Sequence, residues 1–115
     1  MFKKLRTVIY HTDDLAATKS WYSQLLGKAP YFDESFYVGF DVNGSELGLD
    51  PDWSGIEKGN QSIAFWDVDA IESCVETLQL QGASIKNSVK EVGEGIKVAV
   101  VNDPFGNTIG LIEGA

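Results

Sequence analysis

Two side chains of this sequence are candidates for moving a proton: His11, its single histidine, and Glu46. An imidazole changes charge near neutrality and a carboxylate accepts a proton readily, so either can act as a general base in a hollow. Metal chemistry asks for more. Zn²⁺, Ni²⁺ and Fe²⁺ are held by several imidazole, thiolate or carboxylate ligands. One histidine and one cysteine, Cys74, cannot build a histidine-rich centre or a multi-cysteine zinc site within the chain. Cys74 falls on the apolar stripe of a helical pattern, which reads as a small core residue and not a nucleophile. A centre of either kind is not expected, and no cofactor motif stands out.

Charge narrows the partners. Nine basic residues stand against 17 acidic ones, a net charge of −8. A phosphate backbone or an anionic membrane surface wants the opposite sign, so neither nucleic acid nor membrane is expected. The acidic balance either attracts a cationic small molecule or simply keeps the chain in solution. With 115 residues the chain is one ordinary domain, and 43% hydrophobic with 23% charged residues is neither disordered nor membrane-like. No apolar run has spanning length, and the basic start from Met1 to Arg6 has no apolar stretch behind it. A cytoplasmic protein without a signal peptide is the expectation.

The elements that must position these residues come as a repeat. The stretch from Thr7 to Gly27 resembles that from Ser62 to Gly82 at an offset of 55, with Asp14 on Asp69 and Leu25 on Leu80. Each copy reads as a β-rich run, an acidic residue, a helical pattern and a glycine. In the first, Thr7 to Thr12 is a strand, and Asp13 or Asp14 caps a helix striped by Leu15, Thr18, Tyr22, Leu25 and Leu26. In the second, Ser62 to Val68 is the strand, Asp69 and Glu72 resemble a capping box, and Ile71, Cys74, Val75 and Leu78 form the stripe. Glycines 27 and 82 end the helices. Hairpins follow. Phe36 to Val42 turns at Asn43-Gly44 into Ser45 to Asp50. Ile96 to Val101 turns at Asp103-Pro104-Phe105-Gly106 into Asn107 to Glu113, repeating the first hairpin at an offset of 62. Ala29 to Asp33 and Ile85 to Val89 are weaker strands, and residues 51–60 read as a linker between modules at 5–50 and 61–113. The expected fold is α+β: two βαβββ modules forming a curved mixed sheet with helices on the convex face.

This duplication resembles the vicinal oxygen chelate superfamily, which includes glyoxalase I, extradiol dioxygenases and bleomycin-resistance proteins. Asp14-Leu15, Trp21-Tyr22 and Leu26-Gly27 are similar to the family's first helix. Asp103-Pro104-Phe105-Gly106-Asn107, Ile109 and Leu111-Ile112-Glu113 are similar to its last hairpin. The resemblance implies one glyoxalase-like domain from Leu5 to Glu113, and a homodimer. Metal-using members carry four ligands on four strands. Residue by residue, those positions fall on Thr7, on Gly48 or Glu46, on Ser62 and on Gly110. Hydroxyls are poor ligands for such metals and glycine offers no side chain, so the resemblance implies a member without the metal.

Strand alternation assigns an open, ligand-binding face. It takes Thr7, Ile9 and His11 from the first strand, then Phe36, Val38, Phe40, Glu46, Gly48 and Asp50 from the first hairpin. Ser62, Ala64 and Trp66 come from the fifth strand, and Val98, Val100, Gly110 and Ile112 from the last hairpin. Such a hollow is apolar and aromatic with a few polar groups, which suits a small molecule. Phe36, Phe40 and Trp66 read equally as core; Trp53 either packs at a dimer interface or caps the hollow. Three functions are compatible. The first is a metal-free, bleomycin-resistance-like protein that sequesters a cationic or aromatic drug or metabolite. The second is a metal-independent lyase or isomerase using His11 or Glu46 as base. The third is a non-catalytic dimeric interaction protein.

Overall fold

A computed structural model describes residues 1–55 and 62–114. The part of the expected linker at 56–60, and the first residue of the expected second module, lie outside the described residues. The fold is α+β, with two βαβββ modules. They form two compact units, Met1–Ile56 and Glu57–Ala115.

In the first unit the order is β1 (Thr7–His11), α1 (Leu15–Leu26), β2 (Phe32–Glu34), β3 (Tyr37–Val42) and β4 (Ser45–Asp50). The sheet runs β1-β4-β3-β2, parallel between β1 and β4 and antiparallel elsewhere. Asp14 caps α1, its Oδ1 accepting the Ala17 N–H at 3.0 Å. Two buried threonines pin the same turn. Thr12 and Thr18 share a hydrogen bond at 2.6 Å, and the Thr18 hydroxyl also donates to the Asp14 carbonyl. Gly27 closes the helix in the left-handed region at φ 67°, a conformation that costs a residue with a Cβ more than it costs glycine. The Asn43-Gly44 turn joins β3 and β4 with Val42 opposite Ser45, as a two-residue hairpin requires. That register puts Val38 and Phe40 beside Leu49 and Leu47, and all four are buried on the α1 side with Tyr10 and Tyr22.

The second unit repeats the plan with β5 (Ala64–Asp67), α2 (Ile71–Leu80), β6 (Ser84–Gly93), β7 (Ile96–Asn102) and β8 (Thr108–Glu113). Its sheet runs β5-β8-β7-β6. Ile71, Val75 and Leu78 of α2 are buried with Ala99, Val101, Ile109 and Leu111. Cys74 is half-buried, and burial pushes its thiol above the ordinary value, away from thiolate reactivity.

The capping box expected from Asp69 and Glu72 does not form. The cap position is Ala70, which offers no side-chain acceptor. Glu113 supplies it from the far end of β8, its Oε1 accepting the Ile71 N–H at 2.8 Å. Glu72 instead pairs with Lys97 at 2.9 Å. The cause is a one-residue difference between the copies. α1 begins at Leu15 and α2 at Ile71, 56 positions apart rather than 55. The Asp103 turn is built by a carboxylate that is almost wholly buried. It accepts the Phe105 and Asn107 N–H groups at 2.9 and 2.8 Å and the Asn107 amide at 3.1 Å.

Candidate functional site

In the first unit, α1 covers one face of the sheet and leaves the other open. The parallel ladder sets Thr7 beside Glu46, Ile9 beside Gly48 and His11 beside Asp50, all on the open face as expected. The antiparallel ladder adds Asp41, beside Glu46, and Gly39, beside Gly48. Val38 and Phe40 belong to the opposite, buried face, contrary to expectation. Phe36 lies in the turn before β3 and is largely exposed, its ring 6.0 Å from that of Phe32. The Asn43-Gly44 turn already carried this correction, because a two-residue loop puts residue 41 opposite residue 46 and residue 40 opposite residue 47.

Glu46 is held at both of its oxygens. Its two carboxylate oxygens accept hydrogen bonds from the Tyr31 and Tyr37 hydroxyls. Neither tyrosine was singled out from the sequence. Tyr37 starts at the Asp50 end of the ladder, and its ring runs along β4 over Gly48 to reach Glu46. A Cβ at Gly48 would lie 2.6 Å from the Tyr37 Cζ, so the missing side chain at 48 is what admits the ring. A Cβ at Gly39 would sit 3.4 Å from Tyr31, Tyr37 and Glu46 alike, so this glycine floors the cluster. Burial, and to a lesser degree the Asp50 carboxylate, push the Tyr37 phenol above its ordinary value. It therefore remains a neutral donor at physiological pH. Beside the cluster lies a hollow of about 210 Å³, lined by Arg6, Tyr31, Asp41, Gly44, Ser45 and Glu46. A larger hollow of about 370 Å³ lies between α1 and β2, along the Lys19–Asp33 ion pair, and of the expected ligand-binding residues it meets only Val38.

His11 and Asp50 mark the other end of the open face. Four residues of strand separate Asp50 from Glu46, roughly 13 Å at the rise of a β-strand. The two candidate bases thus cannot serve the same proton. Just past β4 the chain folds into two nested turns. Asp50 Oδ1 accepts the Asp52 N–H at 2.8 Å, and Asp52 Oδ1 accepts the Ser54 N–H and hydroxyl at 2.9 and 2.7 Å. They lay Trp53 against His11, with ring centroids 5.3 Å apart and planes 39° apart.

In the second unit the ladders put Val98, Val100, Gly110 and Ile112 on one face, the one turned away from α2, as the alternation predicts, and Val100 and Gly110 are buried there. β5 departs from expectation. Phe65 pairs with Gly110 and Asp67 with Ile112, so these residues share that face. Ala64 and Trp66 pair with Ile109 and Leu111 and share the opposite face instead. Ser62 precedes the strand and is exposed. The same one-residue difference explains this, because a slip by one flips every side chain of a strand. Phe65 does for Gly110 what Tyr37 does for Gly48: a Cβ there would meet the ring at 2.7 Å.

These positions do not fit a metal. Gly48 and Gly110 offer no ligating side chain and lie under the aromatic rings of Tyr37 and Phe65. Thr7 is an exposed hydroxyl, and Glu46 is held by two phenols. Among the described residues no three His, Cys, Asp or Glu side chains come together as a metal-binding group.

A sequence model describing the Glyoxalase/Bleomycin resistance protein/Dioxygenase superfamily matches residues 4–111. The chain belongs to that superfamily. Solved structures of the same fold include a glyoxalase/bleomycin resistance protein/dioxygenase family enzyme from Burkholderia phytofirmans PsJN. It is 20% identical with a TM-score of 0.81, over 96% of this chain and 98% of that one. A glyoxalase-related enzyme from Fulvimarina pelagi is 18% identical with a TM-score of 0.78, over 98% of this chain and 89% of that one. A lactoylglutathione lyase from Agrobacterium tumefaciens is 17% identical with a TM-score of 0.75, over 96% and 93% of the two chains. At these identities the superfamily chain shares the fold with them. No curated protein matches the chain. No helix among the described residues is long and apolar enough to cross a membrane.

Proposed function

We propose that this superfamily member binds a small organic cation carrying a planar ring, and that it does so on the open face of its first sheet. One observation carries the reading. Asp41, Glu46 and Asp50 all face the open side, together with Tyr37 and His11. None of the four strands of that sheet contains a lysine or arginine. A cation is drawn by the carboxylates, and its ring finds aromatic faces at both ends. The function is sequestration, without chemistry at a metal.

Calorimetric titration with proflavine, a planar cation at neutral pH, tests this against anthracene-2-carboxylate, a planar anion of similar size. Proflavine binds and the anion does not, and Glu46→Gln and Asp50→Asn each weaken proflavine. Equal affinity for the two, or no heat from proflavine at millimolar concentration with the protein folded, refutes the reading.

A metal-independent lyase or isomerase is the second reading. The observation in its favour is that Glu46 sits between two phenolic donors, so that base and acid lie within one cluster. Glu46→Gln would then abolish turnover of a substrate, whereas under the binding reading it changes affinity alone.

A further inference from the structure

The hollow beside the Asn43-Gly44 turn gathers both signs of charge. Arg6, just ahead of β1, lines it together with Asp41 of β3, Glu46 of β4, Ser45 and Tyr31. The backbone fixes each of these residues. The Glu46 N–H donates to the Arg6 carbonyl at 2.7 Å, and Lys4 Nζ donates to the Gly44 carbonyl at 3.2 Å, so the segment before β1 is pinned against the turn. The Tyr31 N–H donates to the Gly39 carbonyl at 3.0 Å, which ties Tyr31 to β3. Asp41 Oδ1 accepts the Gly44 N–H at 3.2 Å, and across the antiparallel ladder Asp41 pairs with Glu46.

The two signs arrive from opposite sides of β4. Arg6 comes from the β1 side, where Thr7 pairs with Glu46, and Asp41 from the β3 side. The three share one hollow, yet no ion pair joins the guanidinium to Asp41 or Glu46; the ion pairs among the described residues are Lys19–Asp33 and Lys97–Glu72. Asp41 Oδ2, the Glu46 carboxylate and the Tyr31 phenol oxygen, whose proton goes to Glu46, offer acceptors to an ammonium group. The Arg6 guanidinium and the Ser45 hydroxyl offer donors to a carboxylate. A lone anion in the hollow meets two carboxylates, and a lone cation meets the guanidinium. A molecule carrying both charges is attracted at each end. At about 210 Å³ the hollow is smaller than the roughly 300–1,000 Å³ of a site for a drug-sized molecule, and no aliphatic side chain lines it. The ligand that fits is small and polar.

We propose that this hollow is a binding site for a small amino acid, its ammonium group held by Asp41 and Glu46 and its carboxylate by Arg6 and Ser45. The site shares Glu46 with the open face but does not rest on the reading given above. The planar cation is drawn by the carboxylates of that face, whereas the amino acid needs Arg6.

The test titrates the full ¹⁵N-labelled chain with glycine, β-alanine and 4-aminobutyrate, and in parallel with propylamine and propionate, which carry one charge each. At least one amino acid is expected to move the amides of Gly44, Ser45 and Glu46. It is expected to bind about tenfold more tightly than propylamine or propionate, the gain that one further charged hydrogen bond supplies at an open site. Arg6→Gln is expected to bring the amino acid down to the affinity of propylamine and to leave propylamine itself no weaker. Arg6 meets β4 through its carbonyl, so this variant keeps the ladder. Asp41→Asn keeps an oxygen for the Gly44 N–H and is expected to weaken the amino acid by a similar factor. Propylamine binding as tightly as every amino acid overturns the proposal, because the hollow is then a site for cations alone. So does the absence of shifts at Gly44, Ser45 and Glu46 with all three amino acids at tens of millimolar, and so does unchanged affinity in Arg6→Gln or Asp41→Asn. Amino-acid binding without proflavine binding overturns the planar-cation reading only. Proflavine binding without amino-acid binding overturns this site only.

Discussion

Gly48 and Tyr37 form one structural unit, and a double-mutant cycle reads that unit directly. The Tyr37 ring crosses Gly48 to reach Glu46, and a Cβ at 48 would stand 2.6 Å from its Cζ and 2.9 Å from its Cε1. Gly48→Ala must therefore swing the ring away and break the hydrogen bond to Glu46. A hydrogen bond to a charged group contributes about 1.5–3 kcal/mol when buried, and this half-exposed one belongs at or below the lower end, about 1–2 kcal/mol. Tyr37→Phe removes the same bond with little change in shape. Each single variant is expected to lose about 1–2 kcal/mol, a fall in Tm of roughly 4–8 °C for a domain of this size. The decisive quantity is the double variant. If Gly48→Ala has already broken the bond, adding Tyr37→Phe costs almost nothing more, and the coupling energy equals the effect of Tyr37→Phe alone. Chemical denaturation of the four proteins gives the cycle. Additive losses refute the arrangement, because they mean that the ring does not lie on Gly48. Gly39→Ala is the control: its Cβ meets neighbours at 3.4 Å, an ordinary contact, so stability stays within about 0.5 kcal/mol.

The other predictions concern the frame of the site. Glu113→Ala removes the acceptor for the first amide of α2 and is expected to cost about 1 kcal/mol by thermal unfolding; Glu113→Gln, which keeps an oxygen, costs less. Asp103→Ala leaves three donors of a buried turn without their acceptor and is expected to cost at least about 2–3 kcal/mol by denaturant titration, with Asp103→Asn intermediate. The Tyr37 phenol is raised by burial, so its neutral form favours the folded state. That contribution is complete below about pH 10 and is lost as pH rises through the folded value, and absorbance at 295 nm is expected to show a late-titrating tyrosine that disappears in Tyr37→Phe. Lys97→Ala breaks an exposed pair and is expected to change stability by no more than about 0.5 kcal/mol, less still in high salt.

The repeat, the two helices and both hairpins could be read from the sequence because their signals are local. Asp14 and Gly27 bound a helix by their own chemistry, and Asn43-Gly44 dictates a two-residue turn. The faces of the strands were harder. An alignment of the copies by their helix-ending glycines gives an offset of 55, while the starts of the helices and the ladders of β1 and β5 give 56. A single residue suffices to exchange Ala64 and Trp66 for Phe65. It also moves the cap of α2 from Asp69 to Ala70, a position that only the distant Glu113 can satisfy. Glu46 was visible as a carboxylate on an alternating strand. Its partners were not, because Tyr31 lies outside any strand and Tyr37 acts by lying along β4 rather than by standing opposite Glu46. The glycines at 48 and 110 carried a signal in retrospect. A glycine inside a strand marks close approach by another group, and here the group is an aromatic ring from the same unit.

Binding of an organic cation to the open face of the first sheet can be followed residue by residue in the amide chemical shifts of the ¹⁵N-labelled chain during titration with proflavine. Shifts are expected chiefly at Tyr37, Glu46, Asp50 and Trp53, weakened in Glu46→Gln and absent with anthracene-2-carboxylate. Shifts confined to β5, β7 and β8, or none at saturating proflavine, would contradict it.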